Sequence, residues 1–263
     1  MSGNIRTGKK DDGDRSMNLT FGIVTYSGHD GTDNIPKVNQ IIDAIEQENI
    51  PEYEIIIVGD FAWERKNTRV IKFDETVKKG WITRKKNIIT EEANHDIIVY
   101  THDYIRPVRG FYRGWLKFGD DWDIAMNVVK NHNGARYRDW VVLDDPRVKP
   151  GWIQEEPWCP PGGKIREGRS FFPSYDYKDT KYMYISGAYW VAKKSVMEEE
   201  PLNEDVVWGQ AEDVEWSDRV REKYKYVMNT CSAVELTHFK DPILPTFDHY
   251  LMSNSYIRKD LVA

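Results

Sequence analysis

The chain has 263 residues, a hydrophobic fraction of 40%, a charged fraction of 30% and a formal net charge of −6. Such a chain is long enough for a sizeable core in one or two domains, and its acidic balance argues against nucleic acid as a partner. No apolar run approaches the ~20 residues of a membrane-spanning helix, and the polar start is unlike a secretory signal, so we expect a cytoplasmic protein.

The cysteine and aromatic contents further limit the kinds of site and of fold that the chain can have. Cys159 and Cys231 match no metal-ligand spacing, and so sparse a pair is typical of reduced thiols rather than of a disulfide framework. The 10 Trp and 15 Tyr provide many flat amphipathic side chains. These suit the faces of sugars as well as core packing, which is the ordinary explanation for each one singly.

The first part of the chain alternates between strand-like and helix-like patterns. Residues 1–17 have little apolar content and predict a flexible leader, and the fold is expected to begin near Asn18. Strands are predicted over 19–26, 53–60, 69–73 and 97–100, and helices over 35–45 and 80–93. This alternation predicts a doubly wound α/β sheet.

The pattern changes after Pro107, where aromatic residues become frequent. An aromatic helix is predicted from Phe111 to Phe118, a second helix over 212–223, and strands over 123–129, 136–143, 182–191 and 226–236. Between 144 and 179, Pro, Gly and aromatic residues replace any periodicity. A loop of that length is usually functional, so we predict a lid over the site.

The strand predicted over 97–100 leads directly into polar side chains. Ile97 to Tyr100 form a continuous β-branched and aromatic run, as in a strand covered on both faces, and Thr101, His102 and Asp103 follow it. Ligands bind beyond the carboxyl ends of the strands in open α/β sheets. We therefore expect a ligand site here rather than a plain polar turn.

Six short motifs, in their order along the chain, resemble those of GT-A glycosyltransferases of the large family 2 type. They are Phe21–Tyr26, Glu54–Asp60, Arg84–Asn87, Thr101–Asp103, Ser186–Ala188 and Trp208–Asp213. The resemblance covers roughly residues 18–239. It implies a GT-A fold, that is, a Rossmann-like doubly wound mixed sheet, with a nucleotide-sugar-binding half over 18–107. The acceptor-binding and catalytic half would then be 108–240, followed by a C-terminal tail over 241–263.

The resemblance also implies an activity in glycan biosynthesis and a set of site residues. The activity is metal-dependent transfer of a hexosyl or pentosyl group from a nucleoside-diphosphate sugar to a hydroxyl acceptor, with Mn²⁺ or Mg²⁺. Asp213 is implied to be the base, and Glu212 to bind the acceptor. The remaining implied contacts are Thr25, Tyr26, Asp60, Arg84 and His102 for the donor, Asp103 and His238 for the metal, and Gly187, Trp208 and Gly209 for the acceptor.

One departure from the family pattern matters, because the first acid of the D-x-D-like element is Thr101 here. Asp103 is thus the one carboxylate of that element left to face a metal. A hard cation held by one or two protein ligands would neutralise charge on a leaving diphosphate, and His238 could complete such a site. The ordinary explanation for a lone histidine after a strand is a surface or core residue.

The other implied residues also have ordinary explanations. Acids such as Glu212 and Asp213 favour the first turn of a helix through its dipole, although a carboxylate base would favour an inverting reaction. Asp60 could be a turn former, and Arg84 could pair with an acid instead of the diphosphate.

Two other classes of function are open from the sequence. A metal-dependent hydrolase would use His102, Asp103 and His238, but it would normally show a denser ligand pattern. A non-catalytic carbohydrate-binding protein would use the aromatic loop, but it would not need acids at the strand ends. A nucleotidylyltransferase would need a basic residue in the glycine-containing segment over 27–32, which has none.

Overall fold

The computed structural model describes residues 16–26, 33–142, 173, 175–176 and 180–240. The predicted leader up to residue 15, most of the predicted lid, the tail from 241 and Cys159 lie outside the described residues. Met17, which the sequence assigned to the leader, is buried, and its backbone N–H donates to the Tyr112 hydroxyl at 3.1 Å. None of the helices in the described ranges combines the length and apolar content that crossing a membrane requires.

The first part of the chain forms the predicted alternation. Its elements are β1 (Leu19–Val24), α1 (Ile35–Glu46), β2 (Tyr53–Val58), β3 (Thr68–Ile71), α2 (Ile82–Glu92) and β4 (Ile97–His102). Helix α1 begins with Pro36 in its first turn and buries Val38, Ile41, Ile42 and Ile45, as its apolar period predicts.

The second part supplies shorter elements. They are β5 (Ile105–Pro107), α3 (Phe111–Phe118), β6 (Ile124–Lys130), β7 (Val141–Val142), β8 (Met183–Tyr184), β9 (Tyr189–Lys193), α4 (Lys194–Glu199), α5 (Glu212–Val220) and β10 (Tyr226–Leu236).

Eight of the strands form one sheet in the order β3-β2-β1-β4-β9-β6-β10-β5. Strand β1 is parallel to β2 and β4, β6 is parallel to β10, and β9 is antiparallel to both β4 and β6. The predicted doubly wound mixed sheet is therefore confirmed. After β1 the chain adds β2 and β3 on one side and then β4 on the other. This reversal opens a crevice beyond the carboxyl ends of β1 and β4.

Two predicted strands are wrong in extent. The strand predicted over 136–143 is reduced to β7, because Arg136 and Asp139 form a buried ion pair at 2.6 Å where ladder bonds were expected. The strand predicted over 182–191 is divided into β8 and β9 by a turn around Gly187. Strand β5 and helix α4 were not predicted, since 3 and 6 residues are too few to show a period.

Helix α2 packs on the sheet through Ile89, which is fully buried against Gly22 of β1. Full burial of such a side chain contributes about 1.5–3 kcal/mol. The buried face of α2 also carries Lys85 and Lys86. Packing of this helix therefore buries two lysine side chains beside the sheet.

Candidate active site

A cavity of about 350 Å³ lies at the crevice beyond β1 and β4. Thr25 from the end of β1, Asp103 from the end of β4 and Lys85 from α2 line it. Two largely exposed aromatic side chains, Tyr26 at 58% and Trp208 at 70%, line it as well. The cavity thus combines charged and polar groups with exposed flat rings, and it lies where the sequence predicts a ligand site.

Thr25 joins the two strand ends. Its hydroxyl donates to Asp103 Oδ2 at 2.9 Å and accepts from Asn34 Nδ2 at 2.6 Å, while its carbonyl accepts from Lys85 Nζ at 2.8 Å. The Asn34 amide also donates to the carbonyl of half-buried Asp60 at 2.5 Å. The Thr25 side chain therefore holds Asp103 in place. Asp60 is connected to Thr25 through Asn34, which donates a hydrogen bond to each of them.

Gly59 permits this arrangement through its lack of a side chain. Its φ is +137°, and a Cβ built there would lie 2.2 Å from the Thr25 carbonyl oxygen. That oxygen is the one that receives the Lys85 ammonium. A side chain at Gly59 would therefore displace Thr25, whose hydroxyl holds Asp103.

Tyr104 lies between two histidines that the sequence singles out. The centroid of its ring is 5.3 Å from that of the His102 ring and 5.5 Å from that of the His238 ring. The Lys240 ammonium lies 3.8 Å from the centroid of the Tyr104 ring. Burial lowers the pKa of His102 well below its usual range, with the charge of Lys86 adding to the effect. Burial and Lys240 also lower the pKa of His238, against the charge of nearby Asp103.

Both imidazoles are therefore neutral near pH 7, which is the form that binds metals. His102 Nε2 is buried with no hydrogen-bond partner in the described structure. No group of three His, Cys, Asp or Glu side chains among the described residues is arranged to hold a metal ion. A hard cation that takes its other ligands from substrate phosphates and water needs only one or two protein ligands. Asp103 and His238 lie within electrostatic reach of each other, and their binding of a metal ion stays a prediction.

The two acids at the start of α5 meet the turn between β8 and β9. The Gly187 N–H donates to Asp213 Oδ2 at 2.7 Å, and the Gly187 carbonyl accepts from Lys86 Nζ at 2.8 Å. Glu212 Oε1 lies 3.3 Å from the same ammonium. A Cβ at Gly187 would lie 2.9 Å from Glu212 Oε1, so only glycine lets the turn approach both acids. The turn is linked to the cavity wall, because the Ala188 carbonyl accepts a hydrogen bond at 3.0 Å from the backbone N–H of His102, which lines the cavity.

Asp213 has a raised proton affinity. Burial, followed by the neighbouring charge of Glu212, raises the pKa of Asp213 to about 6. Hydrogen bonds from Gly187 and the charge of Lys86 oppose this rise. A carboxyl that titrates so near neutrality is suited to accept a proton from a hydroxyl group in a reaction.

The remaining predicted residues occupy other parts of the site. Arg84 forms ion pairs with Glu91 and Glu204 at 2.5 and 3.2 Å, which is the second of its two expected roles, and the neighbouring Lys85 lines the cavity instead. Trp208 lines the same cavity as Thr25, and Gly209 follows it with a φ of +82°. Contacts of Trp208, Gly209 and Gly187 with an acceptor stay predictions.

Sequence reasoning missed three residues of this site, namely Lys85, Lys86 and Tyr104. For Lys85 the available signal is its position on one face of the predicted helix over 80–93, between Ile82 and Ile89. Nothing in the pattern distinguished Lys86, because its role depends on a contact with Glu212 across 126 positions of sequence. Tyr104 follows Asp103 directly, but no sequence feature shows that it meets His238.

Neither a protein-family model nor a curated protein matches this chain. Solved structures do match. S. aureus TarS shares 11% identity with a TM-score of 0.55 over 84% of this chain and 37% of its own. TarS 1–349 in complex with UDP-GlcNAc shares 11% identity with a TM-score of 0.56 over 86% of this chain and 60% of its own.

GalNAc-T7 with UDP, GalNAc and Mn²⁺ also matches, at 11% identity and a TM-score of 0.56, over 91% of this chain and 48% of that protein. The chain therefore spans less than two thirds of each of these matched proteins. At this level of identity the likeness concerns the fold. The mixed sheet, its switch point and these matches together establish that the chain has the fold of the GT-A glycosyltransferases.

Proposed function

We propose that the protein is a glycosyltransferase that moves a hexosyl or pentosyl group from a nucleoside-diphosphate sugar to a hydroxyl group of a glycan or glycoconjugate. The observation that carries this proposal is the cavity at the switch point together with Asp213, a carboxyl group with a pKa of about 6. Asp213 is linked to the cavity through the Gly187 turn, because Gly187 donates to Asp213 and the next residue, Ala188, accepts from His102, which lines the cavity. The UDP-GlcNAc of the matched TarS structure and the UDP of GalNAc-T7 support this class of donor.

The donor would lie in the cavity lined by Thr25 and Tyr26. The exposed rings of Tyr26 and Trp208 suit the flat face of a base or a sugar. Lys85 lines the cavity as one half of an ion pair with Glu75, and we expect the diphosphate to take the place of that carboxylate. Asp60 lies near enough to this end of the cavity to meet the ribose or base.

The Mn²⁺ in the matched GalNAc-T7 structure and the fit of Asp103 with His238 support metal dependence. Asp103 and His238 would hold Mn²⁺ or Mg²⁺. Such an ion, when bound, supplies positive charge near the leaving diphosphate. His102 lines the cavity, and its buried Nε2 has no hydrogen-bond partner in the described part of the chain. This side chain would help to position the donor.

Asp213 would take the proton of the acceptor hydroxyl, and the acceptor oxygen would form a bond to the anomeric carbon of the donor. The bond from that carbon to the diphosphate oxygen breaks, and the diphosphate leaves with the electron pair. Attack from the face opposite the leaving group inverts the configuration of the sugar. Glu212 and Gly187 would orient the acceptor beside Asp213, and Trp208 with Gly209 would border it.

Two observations weigh against the competing classes. A metal-dependent hydrolase would need more ligands than the pair formed by Asp103 and His238 within the described ranges. A binding protein without catalytic activity would have no use for a half-buried acid of raised pKa that is linked to its cavity wall.

A donor screen tests the proposal. Release of nucleoside diphosphate from uridine, guanosine and thymidine diphosphate sugars would be measured with a mixture of glycan acceptors, in Mn²⁺ and in EDTA, for the wild type and Asp213→Asn. We expect release from one donor class that depends on acceptor and is lost in the variant. Release that is equal in both proteins, or absent with every donor while nucleotides also fail to bind, would contradict the proposal.

A further inference from the structure

Lys86 brings a positive charge behind the two acids of α5. Its side chain is 1% exposed, and its ammonium lies 2.8 Å from the Gly187 carbonyl oxygen and 3.3 Å from Glu212 Oε1. It also lies 4.7 Å from the centroid of the Trp190 ring. A buried ammonium group is costly unless it is paired and hydrogen-bonded. Two of its contacts, with the Gly187 carbonyl and with Glu212, are therefore contacts with the turn and the acids of the candidate site.

Gly187 connects this ammonium to the second acid. Its carbonyl is fixed by Lys86, and its N–H donates to Asp213 Oδ2 at 2.7 Å. The turn can approach this closely because a glycine stands there, since a Cβ would lie 3.0 Å from Asp213 Oδ2. Lys86 thus contacts Glu212 directly and Asp213 through a backbone link.

We propose that Lys86 is a positioning residue of the reaction, an inference that rests on the proposed function. Its ammonium, fixed against Glu212 and the Gly187 carbonyl, lowers the proton affinity of Asp213 and thereby leaves that carboxylate able to take the acceptor proton. A neighbouring carboxylate raises the proton affinity of an acid, and a cation bound between the two opposes that rise. The unequal contacts of the two acids, an ammonium at 3.3 Å for Glu212 and an N–H at 2.7 Å for Asp213, therefore assign their roles.

Three other titratable side chains lie within electrostatic reach of Lys86 or of the two acids. Burial lowers the pKa of His102 of β4 and raises the pKa of Tyr104 and of Tyr226 of β10. Burial also lowers the pKa of Lys86, while the charges of Glu212 and Asp213 raise it, and the charge of Lys86 in turn lowers the pKa of Asp213. Removal of Lys86 is therefore expected to raise the proton affinity of the pair.

The test compares the full chain with Lys86→Met, Glu212→Gln, the double variant Lys86→Met/Glu212→Gln, and Lys72→Met as an exposed lysine control. The carboxyl carbon of Asp213 would be titrated by NMR in protein labelled at aspartate, with the resonance assigned by its loss in Asp213→Asn. The pH profile of kcat/KM would be measured on the same proteins. We expect Lys86→Met to raise both midpoints by about one pH unit, as loss of a nearby opposite charge does.

The double variant is expected to return the Asp213 midpoint towards the wild-type value of about 6, because it removes one charge of each sign. It should also recover the melting temperature that Lys86→Met loses by leaving a buried carboxylate unpaired. A Lys86→Met protein with a lower melting temperature but unchanged midpoints would overturn the proposal, since a merely structural lysine predicts that result.

The double variant also decides the matter if Lys86→Met does not fold. Its Asp213 midpoint should then lie above that of Glu212→Gln, and equal midpoints would count against the proposal. The NMR titration needs no substrate, so it separates this inference from the proposed function. Shifted midpoints in proteins that transfer no sugar with any donor would leave the electrostatic role of Lys86 standing and contradict the proposed activity.

Discussion

At the scale of single residues, two neighbouring acids of similar chemistry lie in different surroundings. Asp213 accepts backbone N–H groups from Gly187 and Val214, whereas Glu212 pairs with a buried ammonium. The residue before them, Ala211, has a φ of +56°. A left-handed conformation costs a residue other than glycine about 1–2 kcal/mol, and here it brings both acids to the Gly187 turn.

The different surroundings predict different kinetic losses. Asp213→Asn should lower kcat by about a hundredfold to ten-thousandfold, as removal of a general base does, while nucleotide affinity stays near that of the wild type. Glu212→Gln should mainly raise the KM for the acceptor. Steady-state kinetics with nucleotide-binding measurements checks both.

Asp205→Asn is the matched control, since Asp205 is an exposed acid in the segment that leads to α5. If the acids serve only the helix dipole, Asp213→Asn should lose no more than about 0.3–1 kcal/mol of stability and keep its kcat. A normal kcat in that variant would therefore rule out Asp213 as the base.

The pKa of Asp213 also predicts how activity depends on pH. A base must be ionised to accept a proton, so kcat/KM should be constant well above pH 6 and fall as pH decreases through about 6. One pH unit below that midpoint the loss should be about tenfold. A profile of kcat/KM from pH 4.5 to 8.5 tests this, and a midpoint near 4 would show that the titrating group is an ordinary carboxyl.

At the scale of elements, α2 and the junction of β1, β2 and β4 shape the cavity. The junction depends on Gly59, where a Cβ would meet the Thr25 carbonyl at 2.2 Å. The helix supplies Lys85 to the same carbonyl oxygen and Lys86 to the acids. Packing of one helix on the sheet thus supports both the cavity at the strand ends and the turn that contacts the two acids.

Gly59→Ala should consequently destabilise the protein by more than about 2 kcal/mol, because strain at positive φ adds to a backbone clash. Each 1 kcal/mol corresponds to roughly 2–4 °C of melting temperature in a domain of this size. Gly134→Ala is the control, since its φ of +82° adds strain but a Cβ there meets nothing within 4 Å. Equal melting temperatures for the two variants would show that the close approach at Gly59 has no energetic role.

The elements also show what the sequence predicts well. The apolar runs of β1, β2 and β4 and the stripe of α1 identified these elements, because complete burial leaves an uninterrupted pattern. The pattern failed where polar contacts replace ladders, as between Arg136 and Asp139, and at the Gly187 turn. The same holds for the site, since Lys86 and Tyr104 gain their roles through long-range contacts that no local pattern contains.

At the scale of the whole molecule, the switch point of the sheet brings residues from β1, α2, β4 and the segments before α5 and after β10 to one side of the sheet. Asp103 is held at this point by Thr25 and lies within electrostatic reach of His238 and Lys240. The site therefore needs the complete sheet, because Asp103 and His238 belong to opposite halves of the chain.

Asp103→Ala should abolish transfer without unfolding the protein, because the half-buried side chain lies beyond the apolar run of β4. Added Mn²⁺ should not restore the activity. Circular dichroism and a metal titration of the transfer rate check both parts, with exposed Asp121→Ala as the control. Transfer at the wild-type rate in Asp103→Ala across the Mn²⁺ titration would remove Asp103 from the site.

The most direct test of the central claim, that the cavity binds a nucleoside-diphosphate sugar, is a thermal-shift measurement with uridine, guanosine and thymidine diphosphates, each with and without Mn²⁺. A ligand that binds only the folded state at a hundred times its Kd stabilises it by about 2.7 kcal/mol. We predict that one nucleotide raises the melting temperature of the wild type, more strongly with Mn²⁺, and has a reduced effect on Asp103→Ala. No rise with any of the three, or an equal rise in Asp103→Ala, would contradict the account.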